Sequence, residues 1–246
     1  MKIKLAGPSA KKYFEKLLPN QKFGTHWYGK KLDFESKIYD LMKNLSGFEK
    51  NYRKIKLVYP NGIKPELMTT APNVLAFLQF LIKVKKASKV LEIGTFLGVS
   101  TMFFARAVKK NGYVVTIEKG KAFYEISKKN FIINKFKNIK IINGDVKIVL
   151  KKIKLNKFDF IFVDGNKANY FEIFKLIMNK VNKDCIICFD DTFYHGDIFN
   201  KNPKTSHGKG VKKLLNYLKK DKKWSKTLLP VSNGILLLNK IKKFYL

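Results

Sequence analysis

From residue 84 onward, the apolar and polar positions of this chain switch repeatedly between two periods. Short apolar runs bounded by turn residues, the signature of buried strands, fall at 89–93, 113–117, 139–142, 158–163, 184–189, about 226–230 and 234–239. Between them, apolar positions recur at helical spacing over 98–109, 121–135, 145–153, 169–180 and 208–220. Strands alternating with helices predict an α/β architecture, a doubly wound, mostly parallel seven-stranded sheet covered on both faces. The last two strands are joined through Pro230-Val-Ser-Asn-Gly234 without a helix. They are therefore expected to pair antiparallel at one edge, making the last strand antiparallel.

Upstream, residues 66–84 read as a helix leading into the first strand, with Thr70 as its N-cap and Ala71 and Pro72 in its first turn. Residues 1–60 are rich in lysine and aromatics, with apolar periodicity near Phe34–Phe48. They read as a helical N-terminal extension, leaving 61–246 as the main domain. The polar loop Asn200–Gly210 is expected to be mobile.

The most informative segment is Lys89-Val-Leu-Glu-Ile-Gly-Thr-Phe-Leu-Gly-Val-Ser100. A strand, a tight turn and a helix start follow one another, and glycine lets a ligand approach the backbone closely. A dinucleotide loop would carry G-x-G-x-x-G to seat a pyrophosphate. Here the spacing is E-x-G-x-x-x-G, through Glu92, Gly94 and Gly98. An acid beside the loop suits a ligand bearing an amino group or a positive charge. Glu118 ends the next strand, where a ribose-binding carboxylate belongs.

Composition bounds the setting. No apolar run reaches the roughly 18–20 residues that span a bilayer, and the first residues lack the apolar core of a signal peptide. A soluble cytoplasmic protein with no membrane partner is the expectation. The net charge is +33, and Arg53 and Arg106 are the only arginines. Lysine dominance fits a coding bias better than a selected nucleic-acid surface, where arginine's bidentate fork is favoured. A basic surface attracts polyanions all the same. Cys185 and Cys188 have C-x-x-C spacing, but within a strand they face opposite sides of the sheet and read as core residues.

Two further strands end in acids, Phe158-Asp-Phe-Ile-Phe-Val-Asp164 and Ile186-Ile-Cys-Phe-Asp190-Asp191. In an open parallel sheet, ligands collect outside the carboxyl ends of the strands. If Asp164, Asp190 and Asp191 converge there, they repel one another unless a positive group lies between them. A hard divalent cation with oxygen ligands, Mg²⁺ above all, meets that need. His195 reads as a loop residue with a local hydrogen bond, and Tyr170 and Trp27 as packing residues.

At this point the chain resembles the cation-dependent class I O-methyltransferases of the caffeoyl-CoA and catechol type, from about Leu67 to Lys240. The resemblance is carried by Leu67-Met-Thr-Thr70, Val90-Leu-Glu-Ile-Gly-Thr95, Asn143-Gly-Asp145, the Asp164 strand, Lys167-Ala-Asn-Tyr170, Asp190-Asp191 and Leu228-Leu-Pro-Val231. It implies a Rossmann-like fold, a homodimer and S-adenosylmethionine as cofactor, near Thr70, Glu92, Gly94, Gly98, Ser100 and Asp164. It also implies Glu118 on the ribose hydroxyls, Asp145 or its neighbours facing the adenine, and a metal on Asp164, Asp190 and Asp191. The family's catalytic lysine maps onto Lys167. The chain departs from the family in carrying Asp191 where Asn is common, and Ala71-Pro-Asn-Val-Leu-Ala76 where the family has an acidic, glycine-containing stretch.

The expected chemistry is an in-line methyl transfer, which depends mainly on holding two reactants together. A cation would lower the pKa of the acceptor hydroxyl, and Lys167, neutral through burial and the cation's charge, would take the proton. The favoured acceptor is a small catechol-like molecule. The alternatives are a hydroxyuridine in tRNA, gripped by the lysine-rich surface, and a non-catalytic binding protein of the same fold.

Overall fold

The computed structural model describes residues 54–241 and the isolated positions 41 and 45. The chain forms two compact units, Met1–Leu45 and Ser46–Leu246. Most of the expected N-terminal extension, including Trp27 and nearly all of Phe34–Phe48, lies outside the described residues. Residues 56–58 belong with the main unit for a plain reason. The side-chain amide of Asn134 bonds both backbone groups of Lys56, and that of Asn130 bonds both of Val58.

The main unit runs α1 (Pro65–Met68), α2 (Pro72–Val84), β1 (Lys89–Ile93), α3 (Val99–Ala107), β2 (Tyr113–Glu118), α4 (Lys121–Ile133), β3 (Ile139–Asn143) and α5 (Val146–Lys152). It continues with β4 (Phe160–Val163), α6 (Tyr170–Ile177), β5 (Ile186–Phe189), α7 (Ser206–Lys220), β6 (Trp224–Leu229) and β7 (Ile235–Lys240). The strands form one sheet in the order β3-β2-β1-β4-β5-β7-β6. β1 to β5 are parallel, and β7 is antiparallel to both β5 and β6. This is the doubly wound sheet with an antiparallel last strand that the periodicity predicts. Among the described residues no helix is long and apolar enough to cross a membrane.

Alternation along the strands divides the core into two layers. Leu91, Ile93, Ile161, Val163, Ile187 and Phe189 pack with α5, α6 and α7. Val90, Val114, Phe160, Phe162 and Cys188 pack with α2 and α3 on the opposite face. Cys185 and Cys188 fall in different layers, free and buried. Burial pushes the Cys185 thiol up to about 12, so it behaves as a small apolar residue.

The register fixes where the chemistry sits. Ile93 lies beside Ile117 and Val163, and Val163 beside Phe189. The next residue of each strand, Gly94, Glu118, Asp164 and Asp190, therefore stands along one edge, and the backbone ladder carries on through Gly94, Asp164 and Asp190.

Two local expectations are corrected. The helix over 66–84 is two helices, because Thr69 and Ala71 are extended. The N-cap of α2 is Ala71, without a side-chain bond, and Thr70 turns its hydroxyl to Asp164 Oδ2 at 3.3 Å. The loop expected to be mobile is instead tied down by one carboxylate. Asp197 accepts hydrogen bonds from Asn200, from the Lys204 amide, and from both the amide and hydroxyl of Thr205. Residues 206–210 are already the first turns of α7.

α7 lies unusually close to the turn Lys167–Asn169. A Cβ on Gly210 would stand 2.5 Å from the Lys167 carbonyl oxygen and 2.6 Å from Ala168 Cα. Gly210→Ala gains about 1 kcal/mol of helix propensity but forces backbone apart, at about 1–3 kcal/mol or more. Net destabilisation of about 1–2 kcal/mol is expected from urea unfolding. A stabilised variant would show that α7 is free to shift.

Candidate active site

The glycine loop after β1 is shaped from within. Gly94 has φ +97°, and a Cβ there would meet the Asp164 carbonyl oxygen at 2.9 Å. Gly98, at φ +82°, is the N-cap of α3, and its Cβ would strike the Phe131 ring. Both glycines are required by the protein's own backbone and core, which leaves the loop fixed before any ligand arrives.

Glu92 and Ser100, expected to lie near the cofactor, are buried beneath the loop and bonded to each other. Glu92 is 0% exposed. Its carboxyl accepts from Ser100 Oγ at 2.5 Å, from Thr116 Oγ1 at 2.7 Å and from the Thr101 hydroxyl. Burial drives its pKa up to about 7, against the hydroxyl bonds that favour the anion. The cause is parity: Glu92 points with Val90 toward α2 and α3, not along the strand ends. Thr101 and Thr116 were not singled out from the sequence. Thr116 had a usable signal, since the parallel register places it beside Glu92.

Glu118 stands where the sequence places it. Its Oε2 accepts from the amides of Thr95 and Phe96, and Oε1 from that of Gly120. Three of roughly four acceptor positions of a carboxylate are thus used, and the partly exposed side chain keeps one for a ligand hydroxyl. The loop is also tied to α4, because the amide of buried Asn130 reaches both the Leu97 carbonyl and the 56–58 segment. Asp145 is occupied locally. It caps α5 through the Lys147 amide at 2.8 Å and pairs with Lys119 at 3.0 Å. The Lys147 amide first, then Lys119, hold its carboxyl below the ordinary value.

At the ends of β4 and β5, Lys167 joins two of the three expected acids. Its Nζ lies 2.7 Å from Asp164 Oδ1 and 3.0 Å from Asp191 Oδ2. Asp190 is 5% exposed, and its Oδ1 accepts the Asp191 amide at 2.8 Å. Buried Tyr170 ties the strand ends together by donating toward the carbonyls of Val163 and Asp190. Burial raises the pKa of both Asp164 and Asp190, and repulsion from the neighbouring carboxylates adds to it. The expected neutral Lys167 depends on a bound cation. Without one, burial alone would depress its pKa, but Asp164 and then Asp191 outweigh burial and hold it above the ordinary lysine value, so the two carboxylates favour the ammonium form.

Among the described residues, no three His, Cys, Asp or Glu side chains are gathered closely enough to hold a metal as they stand. The donor chemistry nonetheless suits a hard cation. Two of the three aspartates share one ammonium and Asp190 has none in contact, so two negative charges stay uncompensated when all three ionise; burial first, and then the neighbouring carboxylates, raise the pKa of Asp164 and Asp190. The following loop is bent by positive φ at Asp191, Tyr194, His195 and Gly196. It places Tyr194 Oη 2.7 Å from His207 Nδ1, a pair the sequence does not signal, and the His195 amide on Asn233 Oδ1.

Comparison with known proteins adds a second line of support. A family model described as O-methyltransferase matches residues 50–241. The chain is 26% identical over 216 residues to probable caffeoyl-CoA O-methyltransferase 1 of Dictyostelium discoideum, covering 85% of this chain and 90% of that protein. It is 27% identical over 151 residues to catechol O-methyltransferase of Niastella koreensis, covering 60% and 68%. Among solved structures, the SAH-bound methyltransferase PaMTH1 of Podospora anserina superposes with TM-score 0.72 at 20% identity, covering 87% of this chain and all of that one. That likeness shows the fold.

The buried Glu92 predicts a pH dependence. Its native pKa, about 7, lies above the ordinary 4.5, so between these values the folded state holds more proton than the unfolded state. The corresponding stability is complete below pH 4.5 and is lost as pH rises through about 7, to the extent of about 3 kcal/mol. Urea unfolding of wild type and Glu92→Gln from pH 4.5 to 8 should show the difference closing toward low pH in the wild type's favour. Parallel curves would mean that Glu92 is not perturbed as described.

Proposed function

The chain belongs to the O-methyltransferase family, and from that premise we propose that it moves a methyl group from S-adenosylmethionine to a hydroxyl of a small catechol-like acceptor, with a divalent cation at Asp164, Asp190 and Asp191. The observation that carries the reading is the row at the carboxyl ends of the sheet. A pre-shaped glycine loop with Glu118 adjoins three aspartates that have a single ammonium among them, with Asp190 outside its reach. The names of the relatives support the acceptor class, and the SAH bound to the Podospora anserina methyltransferase of the same fold supports the donor.

In this reading Glu118 receives the ribose hydroxyls on its remaining acceptor position, held in place by three loop amides. The loop itself needs no rearrangement, so little ordering entropy is lost when the cofactor binds. A bound cation supplies Lewis-acid polarisation of the acceptor oxygen. Thr70, donating to Asp164 Oδ2, keeps that carboxylate turned toward the strand ends. Lys167 contributes a positive charge beside the strand ends that favours the ionised acceptor hydroxyl. Tyr170 locks the β4 and β5 ends at one spacing, so that the acceptor oxygen meets the methyl group in line.

The test is turnover of S-adenosylmethionine with a panel of vicinal dihydroxy aromatics and Mg²⁺, read by mass spectrometry of the product. A singly methylated product is expected, with at least about a ten-fold loss of rate in excess chelator. Undiminished rate in chelator removes the metal from the reading, and cofactor binding without any product removes the acceptor class. Lys167→Ala should lower kcat by about a hundred-fold. Near-normal turnover at saturating acceptor takes Lys167 out of the reaction.

A further inference from the structure

Lys167 is held between Asp164 and Asp191 by a rigid frame. Its turn is closed by Asn166, whose Oδ1 accepts the Ala168 amide at 3.0 Å and whose carbonyl accepts the Asn169 amide at 2.9 Å. Gly210 presses on the backbone of Lys167 from behind. Asp191 is set in a left-handed conformation, φ +51°, closed by the Tyr194 amide on its carbonyl. The Lys167 side chain is only 16% exposed, and the ammonium is the one basic group in contact with these acids among the described residues. Asp164 has both oxygens engaged, Oδ1 by Lys167 and Oδ2 by Thr70. An ammonium donating hydrogen bonds and a hard dication need the same thing from a carboxylate, an unshared oxygen with its full charge.

We propose that Lys167 is a built-in competitor for the metal position: its ammonium holds the carboxylates of Asp164 and Asp191 together in the metal-free protein, and a divalent cation binds there only by displacing it. This rests on the metal reading of the site. Asp191 is what makes the competition strong. An amide at that position would leave Lys167 one carboxylate fewer, whereas the acid gives the ammonium a second anchor. The consequence is a site that stays folded and partly charge-compensated without metal, and whose metal affinity is set below what its three acids would otherwise give.

The test is a cation titration without cofactor or acceptor. Mn²⁺ binding is followed by calorimetry and by loss of the free-ion magnetic resonance signal for wild type, Lys167→Met, Asp191→Asn and the double variant. Asn tolerates the left-handed conformation, so Asp191→Asn changes charge and leaves the turn intact. Lys167→Met should bind Mn²⁺ about ten-fold more tightly or better, as expected for removing a like charge at contact distance. Asp191→Asn should weaken binding less in the wild type than in Lys167→Met, because in the wild type it also frees the ammonium.

Unchanged or weaker binding by Lys167→Met overturns the proposal. So does strict additivity in the cycle, which would leave Lys167 acting as a distant charge. If none of the four proteins binds Mn²⁺ at millimolar concentration, the metal reading itself falls and Lys167 is a permanent partner of the two acids. Since Lys167→Met leaves buried acids without their counter-ion, Lys167→Gln is carried in parallel. Mn²⁺ should raise the melting temperature of both variants by more than that of the wild type, and an equal or smaller rise counts against displacement.

Discussion

Negative charge along one partly buried sheet edge is the constraint that the rest of this structure answers to. Parallel register brings Glu118, Asp164 and Asp190 into a row, with Asp191 next to it and Glu92 just beneath. Removing a carboxylate from water is costly unless something replaces the water, and each acid here has a different replacement. Glu92 has three hydroxyls and a raised proton affinity. Glu118 has three backbone amides. Asp164 and Asp191 share Lys167, while Asp190 has only a backbone amide and the repulsion of its neighbours. The acids are thus graded from fully satisfied to undersupplied. The undersupplied end is where a further cation has something to gain.

The framework around that edge is built from close backbone approaches more than from large side chains. Gly94 lets the first loop pass over the Asp164 carbonyl, and Gly210 lets α7 press on the Lys167 turn. Asn130 and Asp197 do the remaining work with single polar groups. One ties the loop carbonyl of Leu97 to α4, and the other gathers the 200–205 loop against the start of α7. These contacts leave little slack between the glycine loop and the aspartates at the ends of β4 and β5. That matters for methyl transfer, because misalignment by about 1 Å costs rate steeply.

Much of this was legible in the sequence. Period-two and helical patterns located every strand of the sheet, because each strand is buried on both faces or paired at an edge. The acids at strand ends and the glycine loop were found by motif and order. What the pattern could not supply was the direction of a side chain. Glu92 precedes a glycine by two residues, and only the pleat shows that it turns toward α3, where Ser100 and Thr101 bond it. Thr70 looked like a cap because a proline follows, yet Ala71 takes that position and frees the hydroxyl for Asp164. Loop 200–210 looked loose because its composition is polar, and Asp197 organises it through contacts several residues away in sequence. Lys167 shows the same limit: burial argues for a neutral amine, and only the carboxylates within reach, which spacing does not reveal, reverse the sign when no cation is bound.

The overall charge sharpens the role of those local acids. At +33, the molecule repels a dication on approach and draws in anions. Screening shortens that field to about 8 Å at physiological ionic strength, so the far-off lysines set encounter rates more than affinity. Affinity at the strand ends is decided within contact distance, where Asp164, Asp190 and Asp191 oppose the single ammonium of Lys167. In a chain this basic the carboxylate at 191 steepens the local potential well for a cation, while it also anchors the amine that occupies the well. On the proposal made above, one carboxylate thus strengthens both contenders for the site, and metal concentration decides which prevails.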